Sequence, residues 1–390
     1  MIFKLAYKNI MGAGLRTWLN IFILSLSYFV IIALQGFFMG WQEDASREMK
    51  NWDFAGGQYW QETYDPYDPF TLEDSHAAIP EDLQKLIEEG EAISILLSPA
   101  TIYPEGRMRN IVLKGIAPDQ SLIELPTKYL ADPDGEINCI IGSGFADNLN
   151  IKGGDYIVLR WRDKNGVYDA RDIKVAHVFS TTVITVESNQ IWISLQTLQE
   201  MLSLPDQATI ITIKDEMYRK EFSGWHYKDL DFLLIDLTNM IKAKTIGSSI
   251  MYFLMLFLAM LAIFDTQILS IFRRRKEMGT MMALGMTRPK IIQLFTLEGI
   301  LHAVLAILMG AVYGIPLLKH FEKVGMQIGM DAKEWGLSGL DDALYPVYGW
   351  KLVVGTIVLI LITVTIVSFL PTRKIAKLKP TDALRGKMTK

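Results

Sequence analysis

The sequence predicts a membrane protein: four transmembrane α-helices, with a large extracytoplasmic α+β domain inserted between helices 1 and 2. Three observations predict it. Four apolar runs are long enough to cross a bilayer, some 200 residues between the first two alternate strand and helix signals, and basic residues flank the runs on one side only. Half of the 390 residues are hydrophobic and the mean hydropathy is +0.22. That is too apolar for an ordinary soluble chain of this length and too polar for one wholly in lipid.

Residues 1–17 carry Lys4, Lys8 and Arg16 and no acid. The first span, 18–41, has Trp18 and Trp41 at its ends, where aromatic anchors sit at a bilayer interface. Its apolar run is long and closes on FFMGW without a small-residue cleavage site, so an anchor is expected rather than a cleaved leader. The other spans are 246–272, 291–318 and 350–371, the last with its apolar heart at Leu352–Leu370. At 1.5 Å per residue each run is about 28 to 42 Å long, enough for the hydrocarbon core.

Charge sets the orientation. The 273–290 loop holds Arg273, Arg274, Arg275, Lys276, Arg288 and Lys290 against Glu277 alone, and the 372–390 tail is as basic. Residues 41–245 hold 19 basic and 34 acidic residues, and the 319–349 loop is also net acidic. Lys and Arg accumulate beside spans on the cytoplasmic side. Both termini and the 273–290 loop are therefore expected inside, the 42–245 domain and the 319–349 loop outside.

Within 42–245 the expected strands are Ala92–Leu97, Asn110–Gly115, Asn138–Ile141, Tyr156–Trp161, Asp172–Val178, Gln190–Ile193 and Thr209–Ile213. DKNG at Asp163–Gly166 reads as a hairpin turn. Pro80–Glu89, Ser194–Leu202 and Lys228–Lys244 read as helices, the last leading into the second span.

Catalytic patterns fail one by one. No phosphate-binding G-x-x-x-x-G-K-[ST] or G-x-S-x-G occurs. Gly142-Ser143-Gly144 lacks the third glycine of a dinucleotide site and reads as a tight turn. The five histidines show no metal-ligand spacing, and Cys139 is the single cysteine, so neither a zinc site nor an internal disulfide is expected. Nucleic-acid binding is disfavoured because the basic clusters already have a topological cause. The chain reads as no enzyme, with no metal and no cofactor of its own.

Two acids lie inside spans, Asp265 and Glu298, with His302 one turn beyond Glu298. A charge in lipid costs at least about 2.5 kcal/mol. Each is therefore either a polar coupling element near the inner leaflet or a group close enough to the interface to be hydrated or neutralised locally. In the 273–290 loop, Lys276–Leu284 can form a short helix with Met278, Met281 and Met282 on one apolar side, adaptable and open to the cytoplasm. Gly285 is its stop, and Thr287 is a cap for the next helix. A membrane-surface turn with no partner is the plainer alternative.

These segments resemble the FtsX-like permeases of ABC transporters. RRRKEMGTMMALGMTRPKIIQLFTLEG (Arg273–Gly299) is similar to the family's basic cluster followed by E-[IM]-G, A-L-G-[AM] and L-x-x-E. PTRKIAKLKPTDALRG (Pro371–Gly386) resembles its closing motif, and KLAYKNIMGAGLRTWLNI (Lys4–Ile21) its amphipathic elbow helix on the inner face. The chain departs from the macrolide-exporter MacB pattern in having no fused nucleotide-binding domain, and its inserted domain is larger than in cell-division FtsX proteins. GGQYWQETYDPYDP (Gly56–Pro69), VLKGIAPDQ (Val112–Gln120) and Tyr129–Leu159 resemble the lipoprotein-releasing LolC/LolE-type permeases. The elbow has fewer arginines than is common among them.

The resemblance implies a mechanotransmitting permease in a bacterial inner membrane that releases lipoprotein. Its partners would be a separate ABC ATPase of the LolD or MacB nucleotide-domain kind, which binds ATP and Mg, a second permease subunit, alike or a sister, lipoprotein and a periplasmic chaperone. ATPase coupling would fall on Lys276, Glu277, Met278, Gly279, Met281, Met282, Leu284, Gly285 and Met286. Substrate acyl chains would meet Gln35, Phe37, Phe38, Met39, Met251, Met255 and Leu258. MacB-like efflux with a periplasmic adaptor and FtsX-like signalling to a cell-wall hydrolase remain open alternatives.

Overall fold

The structure, a computed structural model, describes residues 2–12, 14–131, 135–327 and 343–375. Nine helices of at least seven residues run through them: α1 Ile2–Met11, α2 Leu15–Met49, α3 Glu81–Glu88, α4 Ser143–Leu149, α5 Leu195–Leu202, α6 Ile235–Arg273, α7 Arg275–Ala283, α8 Arg288–Val324 and α9 Trp350–Ile375. The chain forms two compact units. One comprises Met1–Trp41, Met240–Gln327 and the segment from Ala343 on, and the other is built on Gln42–Asn239.

In the first unit, α2, α6, α8 and α9 are each long and apolar enough to cross a membrane. They outrun the lengths expected from hydropathy. Helix α2 continues to Met49 and ends in a π-helical turn at Lys50–Phe54, α6 begins at Ile235, and α9 passes through Pro371. Hydropathy marks only the part that suits lipid. Polar helix formers such as QEDASREM after Trp41 continue the same backbone ladder in water. The expected 319–349 loop is described only in part: Met326–Gln327 pairs with Ala343–Leu344, and 328–342 lie outside the described residues. So does most of the 372–390 tail.

Ile21, Leu24, Tyr28 and Ile32 recur at helical spacing on one face of α2 and pack with Ile263, Ala303, Ala306, Ile360 and Val364. Small residues let the helices close. A Cβ on Gly310 would sit 3.2 Å from the Tyr28 ring, and one on Gly36 or Gly40 would collide with Tyr348 or the Tyr345 carbonyl. Val347 donates its N–H to the Gly36 carbonyl at 3.0 Å, sealing the 345–348 segment onto α2. Gly36 and Gly40 leave this side of α2 bare of side chains, so the 345–348 backbone can lie directly on it.

The second unit carries a nine-stranded sheet. Its strands are β1 Gly57–Gln61, β2 Ala92–Ile102, β3 Arg109–Ile116, β4 Asn138–Gly142, β5 Tyr156–Arg162, β6 Tyr168–Phe179, β7 Gln190–Ser194, β8 Ile210–Ile213 and β9 Trp225–Lys228. The order is β9-β1-β8-β2-β3-β7-β4-β6-β5, with β3–β7 and β4–β6 parallel. The far end of β2 also pairs with β5 through Ala100↔Trp161, Thr101↔Arg160 and Ile102↔Leu159. The strip from β2 to β5 therefore closes on itself as a six-stranded barrel, filled by Leu96, Ile102, Leu113, Cys139, Ile141, Leu159, Trp161, Val175 and Ile193. Burial pushes the Cys139 thiol well above its ordinary pKa. Strands β8, β1 and β9 extend the sheet beyond the barrel and pack Tyr59, Ile211, Ile213 and Trp225 with Leu83 of α3.

All seven expected strands are present, most of them longer. The DKNG turn joins β5 to β6, with Gly166 at φ +82° and Asp163 N–H bonded to the Val167 carbonyl at 2.9 Å. Strands β1 and β9 went unanticipated: each is short, and GG precedes the first. The run expected to be one helix over Lys228–Lys244 instead begins at the end of β9, makes a short helical turn at Leu230–Leu233 and then enters α6.

Candidate functional site

The region joining α6, α7 and α8 is built around one carboxylate. Arg274 is the single residue between α6 and α7, and its backbone (φ −98°, ψ 15°) breaks the helix there. The break turns its guanidinium back onto α8. Nη1 donates to Glu298 Oε1 at 2.9 Å, Nε donates to Glu277 Oε2 at 2.9 Å, and the guanidinium carbon lies 5.1 Å from the centroid of the Phe295 ring. Asn9 of α1 donates to the same Glu298 oxygen at 2.6 Å. His302 Nδ1 lies 2.7 Å from the Glu298 carbonyl oxygen.

Glu298 is 4% exposed, and its charge is tolerated because a guanidinium and an amide meet it. Glu298 is neutralised locally by Arg274 rather than hydrated. It is a buried ion pair tying α1, the α6–α7 break and α8 together. Asp265 is different: it lies on an exposed face of α6.

Helix α7 rests on α8 through its methionines. Met278 is 3% exposed and packs on Ile291 and Phe295, with Met282 and Met286 beside it. Gly279 is buried as well, and Met281 is half-buried. The apolar face that the sequence reading assigned to a partner is thus turned inward. The physical reason is that α8 itself offers an apolar seat, which covers Met278 and leaves Met281 and Met282 half-buried. What faces outward is Lys276, Glu277, Thr280 and Leu284, the last 83% exposed.

Gly285 ends α7 as the sequence predicted, at φ +94°. Its N–H bonds the Met282 carbonyl at 3.1 Å and the Met286 N–H bonds the Met281 carbonyl at 2.9 Å, the paired closure that a positive-φ glycine permits. Thr287 stands at the start of α8, but its hydroxyl makes no cap there; its carbonyl instead accepts from Lys290 and Ile291.

The residues expected to meet acyl chains lie along α2 and α6. Gln35, Phe37 and Phe38 are half-buried on α2, Phe37 and Phe38 edge to face at 5.6 Å, while Met39 is 44% exposed. On α6, Met251 and Leu258 are 51% and 62% exposed and Met255 is half-buried. Gly142-Ser143-Gly144 is occupied by the chain itself. Glu187 Oε1 accepts from the Ser143 hydroxyl at 2.7 Å and the Gly144 N–H at 3.1 Å, filling the place a phosphate would take at the start of α4. Among the described residues no group of three His, Cys, Asp or Glu side chains could hold a metal.

Asn9 is the site residue sequence reasoning missed. A lone asparagine in a helix of apolar and basic residues is a weak signal, yet a polar amide on the side facing a span is one that a buried acid can use.

Residues 249–380 match the family described as FtsX-like permease C-terminal, a stretch that contains most of α6, all of α7 and α8, and α9. The chain is also similar to an uncharacterized ABC transporter permease of Methanocaldococcus jannaschii, 25% identical over 66% of this chain. The match spans 64% of that protein's length.

Proposed function

We propose that this FtsX-like chain is the permease subunit of an ABC transporter and passes motion from a separate ATPase to its inserted domain. One observation supports the reading above others: a short helix, hinged at Arg274 and Gly285, is tied by Glu298 to both α1 and α8. A push on its exposed side, at Lys276, Glu277, Thr280 and Leu284, has a stiff route into the spans. Met278, Met282 and Met286 serve that route from beneath, packed with Ile291 and Phe295 of α8. The ATPase supplies nucleotide hydrolysis; this chain supplies the docking helix, the clamp and the spans.

The charge asymmetry between the 273–290 loop and residues 41–245 supports a cytoplasmic docking side and an external inserted domain. A second permease subunit suits α6, of whose most apolar stretch only 12% is buried, against 44% for α2. Lipoprotein release is the finer reading. It rests on the LolC/LolE-like segments of the inserted domain and on the open apolar side chains Met39, Met251 and Leu258.

Purification of the full chain in mild detergent, followed by identification of bound protein and lipid, tests both levels. A P-loop ATPase recovered with the chain supports the permease reading, and none recovered removes it. A co-purified triacylated lipoprotein supports release. An adaptor or a cell-wall hydrolase in its place replaces that finer reading and leaves the permease reading intact.

A further inference from the structure

Helix α1 has two unlike sides. Ala6 and Ile10 are buried at 0% and 3% exposure, and Asn9 beside them holds Glu298. Phe3 and Tyr7 are 60% and 46% exposed, and Lys4 and Lys8 are exposed with them. At about 100° per residue, Phe3 and Tyr7 share one stripe with Lys4 and Lys8 adjoining it on one flank, while Ile10, Ala6 and then Asn9 follow on the other flank and turn into the protein. Residues 1–17 contain no acid to neutralise the lysines. Only residues 12–14 separate α1 from α2, which starts at Leu15 and carries Trp18, an interfacial residue type, 37% exposed. So short a connection keeps α1 near the level where a span enters the bilayer.

An aromatic stripe beside a lysine stripe, at that level, fits a surface that is apolar below and negatively charged above. We propose that the exposed side of α1 binds anionic lipid headgroups, with Lys4 and Lys8 on the phosphates and Phe3 and Tyr7 in the boundary beneath. A second copy of the chain is a poorer occupant, because a two-fold contact through this face would set lysines against lysines. Through Asn9, lipid bound on one side of α1 steadies the carboxylate that holds Arg274 on the other. The inference rests on α1 and its charges and does not depend on the ATPase reading.

The test is native mass spectrometry of the full chain released from nanodiscs containing phosphatidylcholine and phosphatidylglycerol. Each basic residue near an anionic surface is worth roughly a fivefold preference. The wild type is expected to retain phosphatidylglycerol preferentially, and Lys4→Gln with Lys8→Gln to lose roughly tenfold or more of that preference. Lys4→Arg with Lys8→Arg should keep it. An unchanged preference in the double glutamine variant overturns the proposal. So does a changed oligomeric state without a changed lipid preference, which would show the face to be covered by protein.

Discussion

Arg274 reaches across the break between α6 and α7 to place Nη1 2.9 Å from Glu298 Oε1, while its Nε holds Glu277 at the same distance. One guanidinium thus serves a buried and an exposed carboxylate at once, through two nitrogens held at a fixed spacing in one plane that a lysine lacks. Glu298→Ala strands the arginine beside Phe295 and should cost about 3–5 kcal/mol. Glu298→Gln keeps an acceptor for Asn9 and should cost less. Thermal unfolding of the detergent-solubilised chain should rank the variants wild type, Glu298→Gln, Glu298→Ala, with Arg274→Lys below wild type. Equal melting for all four would mean the clamp contributes nothing to the fold.

Leu284 and Met278 sit on opposite sides of α7, so the same change should have opposite consequences. Leu284→Asp alters a side chain already 83% in solvent and should leave the melting temperature alone while abolishing capture of the ATPase. Met278→Asp drives a charge between Ile291 and Phe295 and should destabilise the chain by several kcal/mol, about 3 or more. If Leu284→Asp still captures the ATPase at full yield, docking lies elsewhere.

Gly40 faces a backbone carbonyl and Gly355 faces open space. Gly40→Ala must therefore push the 345–348 segment off α2, at about 1–3 kcal/mol for an overpacked contact, whereas Gly355→Ala should be neutral or slightly stabilising through helix propensity. Comparing the melting of the two purified variants checks this directly. A neutral Gly40→Ala would mean the segment is free to shift.

Tyr227 of β9 has its pKa raised from 10.0 to about 12, chiefly by burial, with the Glu216 carboxylate adding to it. In the unfolded chain the phenol ionises near 10, so the folded form holds its proton longer. The stabilisation is complete below pH 10 and is lost as pH rises through about 12. Alkaline unfolding should begin later in Tyr227→Phe, followed by tyrosinate absorbance and circular dichroism together. Coincident curves for wild type and variant would remove Tyr227 from the transition.

Cys139 lies at 0% exposure inside the barrel, with its thiol pushed up by burial. Because thiolate is the reacting form, alkylation of the native chain should be negligible and become complete only in denaturant. Rapid labelling under native conditions would show that the barrel opens.

The four spans and the inserted α+β domain were legible because hydropathy and strand alternation are local properties of the chain. So was the end of α7, since Gly285 marks a backbone conformation that only glycine adopts cheaply. The orientation of α7 was not legible. Met278, Met281 and Met282 announce an apolar face, but whether α8 or a partner covers it depends on a seat formed by Ile291 and Phe295 after folding. Asn9 and Glu298 are 289 positions apart, and nothing in either neighbourhood names the other. The barrel closure hid for the same reason: the pairing of Ala100–Ile102 with Leu159–Trp161 is set by sheet curvature, which no single strand encodes.

Strand β2 belongs to two structures at once. Its first residues, Ala92 to Ile95, bond β8, while Ala100 to Ile102 bond β5, and β3 runs alongside nearly throughout. Neither the barrel nor its extension can melt while the other keeps its edge. The inserted portion should consequently give one sharp calorimetric transition instead of two, and should refold slowly, because its first stable nucleus must join stretches of chain more than a hundred positions apart.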